Sequence, residues 1–302
     1  MMARKPQPVR HFRGHSDWVQ SLAISPNGQT LASGANDHAI RLWNIATGEC
    51  LQTFSGHEGN ILSLAFAPNG QALASSSSDH SIRVWSLRNR RAPRIIEQPD
   101  ATVWGLHFAP NGSWLASGAT DTSVRLWHPS TGKPIGELGG HDDEVTSVVF
   151  SPASHLLASG ANDETVRLWE MPQGRQARVL DGHFGGVNAL AFSPDGCMLA
   201  VGSNDYLVRL WNLENGKLLH TLEGHEEMVR SLTFSADGRL LVSAGYDGTV
   251  RLWQPQTARC LAVLDSFEGG VNAVALTPND GLLAIASNDP VIQLWDSADL
   301  PL

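Results

Sequence analysis

Short stretches that alternate apolar and polar residues, each closed by a turn rich in Gly, Asn or Asp, run along almost the whole chain. From residue 18, WVQSLAIS alternates like a half-buried strand, SPNGQ turns the chain, TLASGA reads as a second strand and NDH turns it again. AIRLWNI follows as a third strand, ATGE as a turn and CLQTF as a fourth. Four strands of about five to seven residues joined by tight turns predict a small antiparallel meander. Such a sheet alone leaves apolar surface bare on both faces, so it needs a neighbour on each side.

The meander recurs. An apolar-Trp pair ends the third strand at Trp43, Trp85, Trp127, Trp169, Trp211, Trp253 and Trp295, always 42 residues apart. An aspartate stands six positions earlier in every copy: Asp37, Asp79, Asp121, Asp163, Asp205, Asp247 and Asp289. A fixed period of this length marks a stacked supersecondary unit, and a radial arrangement covers every sheet while protecting most edges. The expected fold is all-β: a seven-bladed β-propeller of four-stranded antiparallel blades, with residues 1–302 in one domain. PVRHFR, before the first copy, aligns with the fourth strand CLQTFS, while only DSADLPL follows Trp295. Residues 8–13 are therefore expected to complete the last blade and close the ring.

A Gly-His entry, as in GHSDWVQSL at 14–22, then an aspartate turn and an apolar-Trp pair resemble the WD-repeat (WD-40) β-propeller family over residues 8–296. The Trp-Asp dipeptide itself stands only at Trp295-Asp296; elsewhere Asn, Ser, His, Glu or Gln follows the Trp. The resemblance implies a buried hydrogen-bond network within each blade. Its members are His15, Ser33, Asp37 and Trp43; His57, Ser75, Asp79 and Trp85; His141, Ser159, Asp163 and Trp169; and His225, Ser243, Asp247 and Trp253. Three copies depart from the set, with Pro99 for His, Val201 for Ser, and Phe267 with Ile285 for both. Their aspartates, Asp121, Asp205 and Asp289, are expected to bond turn amides or water, leaving softer blades. Ser, His and Asp also compose a hydrolase triad, but a triad occurs once per active site whereas this set repeats with the architecture. Arg41, Arg83, Arg125, Arg167, Arg209 and Arg251, each two residues before a Trp, are expected to pack and to form salt bridges between blades.

Composition narrows the function. With 42% apolar and 17% charged residues and 29 glycines, the chain is a loop-rich globular protein. Cys50, Cys197 and Cys260 form no CxxC pair, which suits a reducing compartment. No apolar run is long enough to span a bilayer, and MMARKPQPVRHFRGH lacks the core of a secretion signal. A cytoplasmic monomer without membrane contact is expected. The net charge of -9 argues against a nucleic-acid partner. HEEMV at 225–229 places Val229 where a zinc-protease motif needs its second His, and HEGNI at 57–61 fails likewise. With no phosphate loop, dinucleotide fingerprint or GxSxG elbow either, no metal, cofactor or catalytic residue is expected.

What remains is a surface. The resemblance implies peptide binding at the channel mouth, which three positions per copy face: three and five residues past the His slot, and the residue before the turn Asp. Most of these positions hold small or polar residues. The exceptions, Trp18, Leu62, Trp104, Met228, Arg230 and Tyr246, include the aromatic and Arg types that dominate binding hot spots. The connections into the first strands also carry Asp17, Glu58, Asp100, Asp142, Asp143, Glu144, Glu226, Glu227 and Glu268, opposed by Arg230 alone. Such a rim draws basic partners. The sequence thus points to a non-catalytic scaffold for a basic or amphipathic peptide or protein segment, with Glu144 and its neighbours pairing with Lys or Arg. A regulatory module of a larger signalling protein and a propeller enzyme with its site at the mouth are the alternatives. RNRRAPR at 88–94 reads as a solvated charge run, with an acidic or phosphorylated partner as its alternative.

Overall fold

The computed structural model describes residues 7–300 apart from 90, 99, 266 and 280. Its 28 strands form seven four-stranded antiparallel sheets, followed by one short 3-10 turn at Ser297–Asp299. The first complete blade contains β2 (Val19–Ile24), β3 (Thr30–Ala35), β4 (Ile40–Asn44) and β5 (Cys50–Phe54), from the channel outward.

Burial follows position in the blade. β3 is buried from Leu31 to Ala35, whereas β5 is exposed until Phe54 at its end. Small residues crowd the second strands because the next blade presses against them. At Gly118 a Cβ would fall 2.5 Å from Val145 Cγ1 of the following blade, and at Gly202 it would fall 2.6 Å from Val229 Cγ1. Neither distance is tolerable, so the apolar wedge of one blade requires the glycine of its neighbour. Serine hydroxyls stitch the innermost strands together: Leu64 N donates to Ser21 Oγ at 3.0 Å, and Leu106 N to Ser63 Oγ at 3.1 Å. The last blade meets the first through Asn272 Nδ2, which donates to the Val19 carbonyl at 3.1 Å.

The outermost strand of the last blade comes from the N-terminal end. β1 (Arg10–Phe12) pairs antiparallel with β28 (Ile292–Asp296), aligning Arg10 with Leu294 and Phe12 with Ile292. Phe12 is fully buried, and its ring centroid lies 5.6 Å from that of Trp43 in the first blade. One side chain therefore links the two ends of the ring.

Candidate binding site at the channel mouth

The mouth is built on polar networks that fix its loops. In the second blade Trp85 Nε1 donates to Ser75 Oγ at 2.8 Å, Ser75 Oγ lies 2.7 Å from His57 Nε2, and His57 Nδ1 lies 2.7 Å from Asp79 Oδ2. The Nδ1–H tautomer satisfies every member: Ser Oγ–H donates to Nε2, and Nδ1–H donates to the carboxylate. Asp79 Oδ2 also accepts from the Glu58 amide at 3.0 Å, which clamps the rim loop. The first, fourth and sixth blades repeat the arrangement at His15, His141 and His225. Ser33, Ser75, Ser159 and Ser243 are fully buried, so no substrate carbonyl can reach these hydroxyls.

Burial alone would raise the Asp79 pKa, but hydrogen bonds from His57, Ser81 and the Glu58 amide hold it at about 2. Burial lowers His57 despite Asp79 beside it, which keeps the imidazole neutral. The folded Asp79 value lies below the ordinary 3.8, so its stabilisation is present above that pH and is lost as pH falls toward 2. Melting temperature should therefore drop between about pH 4 and pH 2, and Asp79→Asn should flatten that drop while lowering stability at neutral pH. Thermal scans across this window check both.

The departing blades solve the network differently from one another. In the third, Arg125 Nη2 pairs with Asp121 at 2.6 Å while its Nη1 donates to the side-chain Oε1 of the buried Gln98 at 3.1 Å. Pro99 lies outside the described residues. In the fifth, Arg209 pairs with Asp205 at 2.7 Å, and Ser203 Oγ also donates to that carboxylate. Asp121 and Asp205 thus do not depend on turn amides and water alone, because in both blades the strand arginine four residues on reaches the carboxylate. Only Asp289 keeps the simple arrangement, accepting from the Val291 amide at 2.7 Å. Among the described residues the arginines' ion pairs lie within blades and not between them, since these guanidinium groups lie along their own sheets: Arg125 reaches Asp121 and Glu137, and Arg209 reaches Asp205. Elsewhere they cover the Gly-His glycines, where a Cβ on Gly56 or Gly140 would fall 2.7 or 2.8 Å from Arg83 or Arg167 Nη1.

Above these networks the mouth positions come together. The residue before each turn Asp donates its amide to the carbonyl three past the His slot in every blade, as from Asn36 to Trp18 and from Tyr246 to Met228, both at 2.9 Å. The positions five past that slot, Gln20 to Asn272, all line the channel. Leu62, Trp104, Glu144, Met228 and Arg230 converge on one cavity of about 370 Å³, completed by asparagines such as Asn162 and Asn188. Trp104 is 37% exposed, and its Nε1 donates to Glu144 Oε2 in the next blade at 3.2 Å, so an aromatic face and a carboxylate are presented together. Burial lowers the Arg230 pKa, opposed by nearby Tyr246, and its guanidinium has no ion-pair partner among the described residues.

Two predicted residues lie outside this cavity. Trp18 is exposed on the rim, and Tyr246 lies over Gly270 of the next blade, where its hydroxyl accepts from Asn288 Nδ2 at 3.3 Å. Two rim aromatics escaped the sequence reading: Phe184, 67% exposed, and Tyr206, 46% exposed, both in the fifth blade. The signal for Phe184 was one column away. The slot just after the network His holds Ser16, Glu58, Asp100, Asp142, Glu226 and Glu268 in the other copies, and Phe184 alone is apolar.

A closed seven-bladed ring with a pocketed mouth defines the class: a repeat propeller whose varied mouth residues sit on a repeated frame. The chain belongs to the WD40 family. The model for the WD domain, G-beta repeat, matches residues 6–44, 48–86, 93–128, 132–170, 174–212, 216–254 and 258–296. Among named relatives, the chain is 55% identical over 42 residues to the ribosome biogenesis protein BOP1 of Rattus norvegicus, covering 14% of this chain and 6% of that protein. The BOP1 homolog of Drosophila virilis is 45% identical over 42 residues, which is 14% of this chain and 5% of the relative. Each match is one repeat long and spans only a small fraction of the relative.

Proposed function

We propose that this protein is a non-catalytic interaction platform that holds an amphipathic segment of a partner protein at its channel mouth. The carrying observation is the convergence of Leu62, Trp104, Glu144, Met228 and Arg230 on a single cavity beneath a carboxylate-rich rim. Leu62, Trp104 and Met228 offer apolar contact for an anchoring side chain, while the rim carboxylates pair with flanking Lys or Arg. Arg230 faces the inserted end, where a backbone carbonyl or carboxylate of the segment satisfies it. Membership of the WD40 family supports a protein-binding role. The BOP1 likeness, one repeat long, supports the repeat as an interaction unit and assigns no ribosomal partner. The reading includes a cytoplasmic location, supported by three free thiols, two of them exposed.

Affinity capture with wild-type, Trp104→Ala and Trp18→Ala baits tests the proposal. Trp104→Ala should cut recovery of the principal partner by at least about tenfold, as loss of a hot-spot aromatic does. Trp18→Ala should cost less, since Trp18 lies outside the cavity. Melting temperature should stay unchanged in both because each side chain is solvent-facing. Equal recovery by all three baits contradicts the mouth as the binding face.

A further inference from the structure

On the face opposite the mouth, grooves open between successive blades where the turns between first and second strands meet those between third and fourth. The groove between the first two blades is lined by Thr30, Gln52 and Phe66, encloses about 550 Å³ and has no charged side chain among its described lining residues. The next groove, 42 residues on, is lined by the corresponding Ala72, Arg94 and Phe108 and encloses about 640 Å³.

Two differences set it apart. The first is steric. The position of Ala72 holds Thr30, Trp114, Leu156, Met198, Leu240 and Leu282 in the other copies, so this groove is hollowed by the smallest of the seven. In the groove that follows, Trp114 lies on Phe150 with ring centroids 6.2 Å apart and planes 20° from parallel. Phe108 corresponds to Phe150; it is buried, forms part of the groove floor beside Ala72 and Val84, and among the described residues no ring lies on it. The second is electrostatic. Arg94 stands where the first groove has Gln52, the exposed Arg91 stands where Glu49 stood, and His128 lines the far wall. Arg94 Nη1 donates to the Thr131 carbonyl at 2.8 Å, which holds its guanidinium at the groove edge. No Asp or Glu is among the described lining residues, although the chain carries a net charge of -9.

We propose that this groove is a second binding site, taking an acidic peptide segment that presents an aromatic side chain. Its ring fills the room that Trp114 fills in the neighbouring groove, over the apolar floor of Ala72, Val84 and Phe108, and its carboxylates pair with Arg91 and Arg94. A peptide is favoured over a nucleotide because the cations are spaced along one turn and no glycine-rich nest of backbone amides converges there to cradle phosphate.

The probe is the acetylated, amidated peptide Asp-Glu-Trp-Glu-Asp, titrated into the full chain at low salt and followed by calorimetry, with its Trp-to-Ala version and AMP as comparison ligands. Saturable binding is expected for the Trp peptide, at least about tenfold weaker for the Ala version and weakened by added salt. Ala72→Trp, which copies the neighbouring groove, should abolish binding. Arg94→Gln, which copies the preceding one, should weaken it by about tenfold, as should Arg91→Ala. Trp104→Ala should leave it unchanged, which separates this site from the mouth. Should Ala72→Trp lower the melting temperature, the two arginine variants decide alone. Absence of saturable binding, insensitivity to the groove variants, loss on Trp104→Ala, or binding of AMP in place of the peptide overturns the proposal.

Discussion

A chain lacking residues 1–13 is expected to lose its cooperative melt, or to melt far below the intact protein, because β1 is the only strand that completes the last blade. Its removal bares the edge of β28, whose backbone groups bond Arg10–Phe12 in the intact ring. An unpaired edge is also a template for association, so the truncated chain should sediment as higher-order species. Much of the effect rests on Phe12, which is fully buried against Trp43. Phe12→Ala alone should cost about 3 to 5 kcal/mol, the range for truncating a buried aromatic. Circular-dichroism melts of both variants check this; a truncated chain with a wild-type transition contradicts closure through β1.

Ser75→Val should be almost as damaging, because it recreates in the second blade the condition that the fifth already has. The change would orphan His57 Nε2 and Trp85 Nε1, which now both bond Ser75 Oγ. Each buried polar group left without a partner costs about 1 to 3 kcal/mol, so a loss of about 2 to 6 kcal/mol is expected by chemical unfolding. The fifth blade supplies the converse. There Val201 replaces the serine, His183 is fully buried with neither ring nitrogen bonded among the described residues, and Trp211 Nε1 is unpartnered. The seventh blade replaced both members, and Phe267 packs against Trp295 with centroids 6.2 Å apart. Replacing both partners by apolar groups is nearly neutral, whereas replacing one is not. Hence Val201→Ser and His183→Phe, opposite in chemistry, should each stabilise by about 1 to 2 kcal/mol. Burial, with the Arg209 charge adding to it, pulls His183 down to about 4. Its folded value lies below the ordinary 6.5, so stability from the neutral ring is lost as pH falls from 6.5 toward 4. His183→Phe should remove that loss, and parallel denaturation at about pH 7 and about pH 5 measures it.

The fold was legible because period and alternation repeat in every copy: one aspartate and one tryptophan at fixed spacing fix where each turn and third strand lie. The network in the four complete blades was legible for the same reason, since each of its members occupies a fixed column. What happens when a column changes was not. Whether Asp121 bonds an amide or an arginine depends on side-chain reach, and Arg125 stands in the same column as Arg41, which instead bonds Thr53. The convergence of Leu62, Trp104 and Arg230 followed from their shared register on the channel strands. Tyr246 did not follow, because the missing side chain at Gly270 in the next blade lets its ring lie down there. Phe184 sits on a column whose other residues are mostly carboxylates, a solvent-facing position outside the three columns taken to face the mouth, so its exposure was legible but unread.

Hydrogen exchange on the protein alone and bound to its captured partner segment tests whether the mouth holds that segment. Slowed exchange is expected at 102–106, 144–146 and 228–230, where Trp104, Glu144 and Arg230 meet around the mouth cavity. Protection confined to the outer strands or the opposite face, with these three segments unchanged, would contradict binding there.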